Sequence, residues 1–182
     1  MEEKKLFDTS LYKKEIKCLF DINDIPENVG DVSEETYKIR KEVIDTYVTL
    51  TQDSLKTLNY CCDSLISKPL TMFYLFYYLE LYFKTYILVN YPVDVFDVDK
   101  YEHEFTDIIK YIIDNSKINF EGFYARLKKI KNRDGETINY TKFSDFKYNR
   151  AKDSNRLIFD LSLSKEDVKN IKDVITWIEN HM

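Results

Sequence analysis

The amino-acid sequence predicts an all-α fold, an antiparallel helical bundle around a central apolar helix at about residues 69–90. Three observations carry that expectation. The stretch Leu70–Asn90, LTMFYLFYYLELYFKTYILVN, sets aromatic or aliphatic side chains on nearly every helical face and so requires apolar cover on all sides. Glycine and proline number three each, too few for the many tight turns of an all-β chain. The flanking segments repeat apolar residues at steps of three and four, the spacing of a single helical stripe.

The central stretch is close to the roughly 20 residues that span a bilayer. Its two charges argue against that placement, because Glu80 and Lys84 would each add about 2.5 kcal/mol or more to insertion. Four residues apart with the acid first, they instead form a favourable pair on one helical face. No second span and no signal-type apolar segment accompanies them. The expectation is a protein with no membrane partner, at home in a reducing cytoplasm. Cys18, Cys61 and Cys62 fit that setting: an odd count with one vicinal pair and no ligand spacing supports neither a disulfide scaffold nor a metal site.

A chain of 182 residues fits one domain, 1–182, able to bury roughly 70% of its unfolded surface. Residues 1–30 read as an N-terminal arm. After the polar MEEKK, Leu11, Tyr12, Ile16, Leu19 and Phe20 fit a short amphipathic helix, and Asn23–Gly30 reads as a loop. The bundle occupies 31–182. Asp31, Ser33, Glu34 and Glu35 are a helix-start signal, short polar caps followed by acids against the positive end of the dipole. Ile44, Val48, Thr51, Leu55, Leu58, Cys62 and Leu65 then form a heptad-like stripe, and Ser67, Lys68 and Pro69 reverse the chain into the central helix.

Beyond it, a short β element is expected near 91–100 or 138–160. Two shorter helices are read from Phe105, Ile108, Ile109 and Ile112 and from Phe120, Phe123, Leu127 and Ile130. Ser164 with Asp167 makes a capping-box start for a final helix with Val168, Ile171, Ile175 and Ile178 on its stripe.

The chain carries 15 tyrosines and 12 phenylalanines, more rings than one core absorbs, so some belong to an interface or a cleft. A net charge of −5 disfavours bulk adhesion to nucleic acid, yet charge is unevenly placed. From Arg126 to Arg156, ten cations stand against Asp134, Glu136, Asp145 and Asp153, with Tyr124, Tyr140, Phe143, Phe146 and Tyr148 interleaved. Cations for phosphates and rings for unpaired bases are what single-stranded RNA binding needs; a solvated face with core rings is the plainer reading. The acids Asp94, Asp97, Asp99, Glu102 and Glu104 around His103 lack EF-hand spacing and its glycine, so they read as a solvated, helix-capping loop, with no metal and no cofactor. His103 reads as a polar residue at a helix start.

The order of ELYFK (Glu80–Lys84), HEF (His103–Phe105) and FKYNRAKDSNRLI (Phe146–Ile158) ahead of a last helix resembles the HEPN-type helical domains, over roughly residues 35–180. The resemblance implies an antiparallel bundle, often a homodimer, of toxin–antitoxin, phage-defence or RNA-processing systems. RNase members of that family use an arginine and a histidine four to six residues apart. Here Arg150 is followed at that interval by Asn155, which hydrogen-bonds but does not shuttle a proton near neutral pH.

The implied function is therefore a non-catalytic RNA- or nucleotide-binding or regulatory protein, with Lys147, Tyr148, Arg150, Asn155 and Arg156 as its phosphate and base contacts and Glu80 with Lys84 as a core or cleft pair. Two alternatives stay open: a phage-encoded acidic inhibitor, of anti-CRISPR or anti-defence type, whose carboxylates and tyrosines engage a host protein partner, and an RNase with a degenerate active site.

Overall fold

The computed structural model describes residues 5–8, 28–32, 34–91, 98, 105–131 and 162–182. Five helices dominate them: α1 (Glu34–Asp63), α2 (Lys68–Asn90), α3 (Phe105–Asn115), α4 (Glu121–Leu127) and α5 (Lys165–His181). Among the described residues the fold is all-α apart from one small antiparallel ladder, β1 (Lys5–Asp8) with β2 (Asn28–Val32).

That ladder corrects the reading of the first 32 residues. Asn28–Gly30 is strand rather than loop, and Asp31 pairs with Leu6 instead of capping a helix. Four- and five-residue strands carry too little periodicity to stand out from sequence, and β2 contains a glycine that sequence reading assigns to a turn. The short helix expected at residues 11–20 lies outside the described residues. So do all of 138–160 and all of 91–100 except Tyr91 and Val98, the segments where a β element was expected.

The helix α2 is buried as its composition demands. Met72, Leu75, Phe76, Tyr78, Leu79, Tyr82, Phe83, Ile87 and Leu88 are wholly removed from solvent. Each such side chain contributes about 1.5–3 kcal/mol relative to exposure. The helix α1 covers one side through Ile44, Val48, Leu58 and Cys62. The two helices touch at small polar residues, where the Thr51 and Thr85 hydroxyls lie 3.0 Å apart, both fully buried. One hydroxyl donates to the other. The acceptor spends its own hydrogen on the carbonyl four residues back, Tyr47 or Leu81, so the polar contact is satisfied inside the core.

The reversal between α1 and α2 falls one turn earlier than the sequence suggested. Ser64–Ser67 make it, and Lys68 and Pro69 already belong to α2, with proline in the first turn where its missing N–H is not needed. Leu65, expected on the buried stripe, instead has φ 48 and is 49% exposed. The helical spacing lapses there because the backbone enters the left-handed region to close the turn, a conformation usually left to glycine.

Rings fill the other side. Phe83 of α2 packs against Phe120 and Phe123 at 5.8 and 5.6 Å, and both of those rings pack against Trp177 of α5 at 5.4 and 5.5 Å. Gly122 between them is required by close approach, since a Cβ there would lie 2.6 Å from Trp177 Nε1. The helix α3 buries Ile108, Ile109 and Ile112, and its Tyr111 meets Tyr91 edge-on at 5.6 Å.

The final helix starts as the sequence indicated. Ser164 accepts from the Asp167 backbone N–H while Asp167 accepts from the Ser164 backbone, a complete capping box. Lys68, the first residue of α2, meets Asp167 near the start of α5. Burial is the main cause that raises the pKa values of the Tyr78 and Tyr82 phenols within α2.

Among the described residues, the Tyr78 hydroxyl is buried without a hydrogen-bond partner. A lone buried hydroxyl costs about 1–3 kcal/mol of desolvation. Tyr78→Phe is accordingly expected to leave the fold intact and raise stability by about 1 kcal/mol, read as a higher urea midpoint. A lowered midpoint would show that the hydroxyl is satisfied in solution.

Candidate functional site

The charged pair singled out in the central helix is formed. Lys84 Nζ lies 3.2 Å from Glu80 Oε1, with the side chains only 7% and 6% exposed. Four residues of helix set the two on one face, one turn apart. Burial at this depth is tolerated only because each charge has the other close by and both make further contacts. No described helix is long and apolar enough to cross a membrane.

A second charged region lies where α4 ends. Arg126 is half-buried and donates to the Gly122 carbonyl at 2.9 Å, one turn back in the same short helix. Lys128 and Lys129 follow, both exposed. Asn170, in the second turn of α5, donates its side-chain amide to the Lys129 carbonyl at 3.4 Å. This contact brings the beginning of the basic stretch 126–156 against the first turns of α5, where Lys165 and Lys169 are exposed.

The start of α5 is fixed by an ion pair that spacing in the sequence does not reveal. Lys68 Nζ lies 2.7 Å from Asp167 Oδ1, with 8% and 13% of the side chains exposed. Burial pushes the Asp167 carboxyl up, but hydrogen bonds from Lys68 and from the Ser164 side chain and backbone outweigh it, leaving the pKa below its ordinary 3.8. A carboxylate whose folded pKa is depressed contributes stability that is fully present above the unfolded value and is lost as pH falls through the folded one. The stability difference between wild type and Asp167→Asn should therefore be constant near neutrality and shrink below about pH 4. Urea midpoints at stepped pH check this; a difference that grows in acid would contradict the assignment. Lys172 and Asp63, at 3.0 Å and well exposed, link α5 to the end of α1 by a solvent-screened pair.

The two described cysteines offer no reactive thiol. Cys61 and Cys62 are buried and unbridged. Burial pushes Cys62 up to about 11 even with Lys172 pulling the other way, so it stays protonated and acts as a small apolar side chain. The described histidine, His181, has its ring stacked on Trp177 at 4.6 Å and its Nδ1 2.7 Å from the Trp177 carbonyl, so Nδ1 carries a proton and donates. No group of described His, Cys, Asp or Glu side chains could hold a metal ion.

Of the residues proposed from sequence, Glu80 and Lys84 are brought together. Lys147, Tyr148, Arg150, Asn155, Arg156 and His103 lie outside the described residues. Sequence reading did not connect Lys165 and Lys169 with the basic stretch. The one available signal was that lysines at positions i and i+4 share a face of the final helix.

The geometry defines a class, an all-α protein with a buried acid–lysine pair in its central helix and an exposed lysine edge where α4 meets α5. Comparison of the chain with models of protein families, with curated proteins and with solved structures finds no match.

Proposed function

We propose that this protein is a HEPN-like, non-catalytic module that binds single-stranded RNA or a nucleotide, acting in a phage-defence or toxin–antitoxin type system. The observation that carries the reading is the buried Glu80–Lys84 pair on the second of two long helices, the setting that the resemblance assigns to its ELYFK motif. The cations that would meet phosphate are Lys147, Arg150 and Arg156, with Tyr148 as a stacking ring and Asn155 as a hydrogen-bonding neighbour. Asn155 in place of a histidine removes the proton shuttle that metal-independent cleavage requires. Binding without turnover is the consequence.

The test is binding of labelled single-stranded RNA at two salt concentrations by wild type, Arg150→Ala and Lys147→Ala. The expected result is salt-sensitive binding, weakened in both variants, with the RNA recovered uncut. No binding at low salt, or binding indifferent to both changes, would overturn the reading. RNA cleavage lost in Arg150→Ala would instead establish an RNase.

The inhibitor alternative rests on an observation of its own. Tyr60 is 65% exposed, and Leu65, within the α1–α2 reversal, and Leu70, just after it, are each more than 40% exposed. Exposed rings and aliphatic side chains near a turn suit a protein partner. Co-purification separates the two readings: RNA in the eluate supports the first, a stoichiometric protein the second.

A further inference from the structure

We infer that the RNA-binding surface extends beyond the basic stretch onto the first turns of α5, with Lys128, Lys129, Lys165 and Lys169 as contacts to the phosphate backbone. The inference rests on the RNA reading and adds to it a surface that the sequence order conceals. Lys129 and Asn170 are 41 positions apart, yet the Asn170 amide reaches the Lys129 carbonyl at 3.4 Å, so the end of α4 and the second turn of α5 are neighbours. The rings of Phe120 and Phe123 on Trp177 hold the same two helices together along their lengths. The lysine edge is therefore set on a rigid junction rather than on a free tail.

The charges at this junction divide clearly. Arg126 is committed to the Gly122 carbonyl, Asp167 to Lys68, and Lys172 to Asp63. Lys128, Lys129, Lys165 and Lys169 are exposed, and none of their ammonium groups is bonded to a described residue. Two acids stand among them, Glu166 exposed and Asp173 half-buried. Lys165 and Lys169 are one turn apart, about 6 Å along the axis, on the side of α5 away from buried Ile171, Val174 and Ile178. The amino end of α5 adds its positive partial charge to the same edge. Four unengaged cations against two acids attract a polyanion, and since Lys128 and Lys129 belong in sequence to the basic stretch on which the RNA reading rests, that polyanion is RNA. Point-charge ammonium groups fit phosphates without reading bases, so this edge supplies affinity and salt dependence rather than sequence preference.

The experiment measures binding of labelled oligo(U) and oligo(A) across a salt series. It compares wild type, Lys165→Gln/Lys169→Gln, Lys128→Gln/Lys129→Gln, Arg150→Ala, and Lys56→Gln as a control cation already paired with Asp53. All four lysines of the edge are exposed, and unchanged far-ultraviolet circular dichroism verifies that each double variant folds. Each double change is expected to lower the slope of log affinity against log salt by about 1.4, equally on both oligonucleotides, while Lys56→Gln leaves it unchanged. If Arg150→Ala weakens binding and neither lysine double variant alters the slope, the extension onto α5 is wrong and the RNA reading survives. If wild type binds neither oligonucleotide at low salt, both fall.

Discussion

Replacing Lys84 by methionine is expected to destabilise the protein by about 3–5 kcal/mol, although methionine suits the apolar surroundings of α2 better than lysine does. The reason is the partner left behind. Glu80 is 4% exposed, and its carboxylate is held at that depth with the Lys84 ammonium 3.2 Å away. Removing the ammonium leaves a buried carboxylate short of its counter-charge. The same logic makes Glu80→Gln destabilising, because the stranded charge is then the lysine. The double variant should lose clearly less than the sum of the single losses, which is the signature of a directly coupled pair. Urea unfolding of the four proteins completes that cycle, and additive losses would show that the two charges do not act as a pair.

The second large effect is expected at Phe83. This fully buried ring bridges the central helix to α4 through Phe120 and Phe123 and, through those rings, to Trp177. Phe83→Ala should cost about 3–5 kcal/mol, the transfer free energy of the ring plus the cavity it leaves. The loss has a local reporter, because Trp177 is the chain's single tryptophan and is 3% exposed. Loosening of the Phe120–Phe123–Trp177 cluster should shift its emission to the red in the folded state, well before unfolding. An unchanged spectrum together with a small stability loss would mean that Phe83 does not connect the helices as its ring contacts indicate.

Much of this architecture was legible in the sequence because it rests on local physics. A stretch that is apolar all round must be covered, and α2 is covered. An acid and a lysine one turn apart on such a stretch must meet, and Glu80 and Lys84 do. Ser164 and Asp167 announce a helix start through a bond pattern confined to four residues. The errors fall where the decisive partner is remote or the element is short. Leu65 continues the stripe of α1 by count, but the chain turns there, and spacing cannot register a change to positive φ. The ladder of β1 and β2 depends on pairing across the N-terminal arm, which two strands of four and five residues do not advertise. Lys68 looked like part of a turn, yet its ammonium neutralises Asp167 at the start of the last helix, a contact set by the tertiary fold alone.

The candidate site shows the same division. The ion pair in α2 was visible because both members lie on one helix. The lysine edge was half visible: Lys128 and Lys129 belong to a basic stretch that composition reveals, whereas Lys165 and Lys169 join them only through the packing of α5 on α4. Residues distant in sequence combine their charges on one surface only when helix packing makes them neighbours.

The central claim, that α2 is enclosed by the surrounding helices with its acid and lysine neutralising each other, is tested most directly by native-state amide hydrogen exchange. The account predicts that amides from Leu75 to Leu88 exchange slowest in the chain, only through global unfolding, and that Lys84→Met lowers their protection in step with the loss of global stability. Exchange across that span as rapid as at the fraying ends of α1 or α5, or protection there untouched by Lys84→Met, would contradict it.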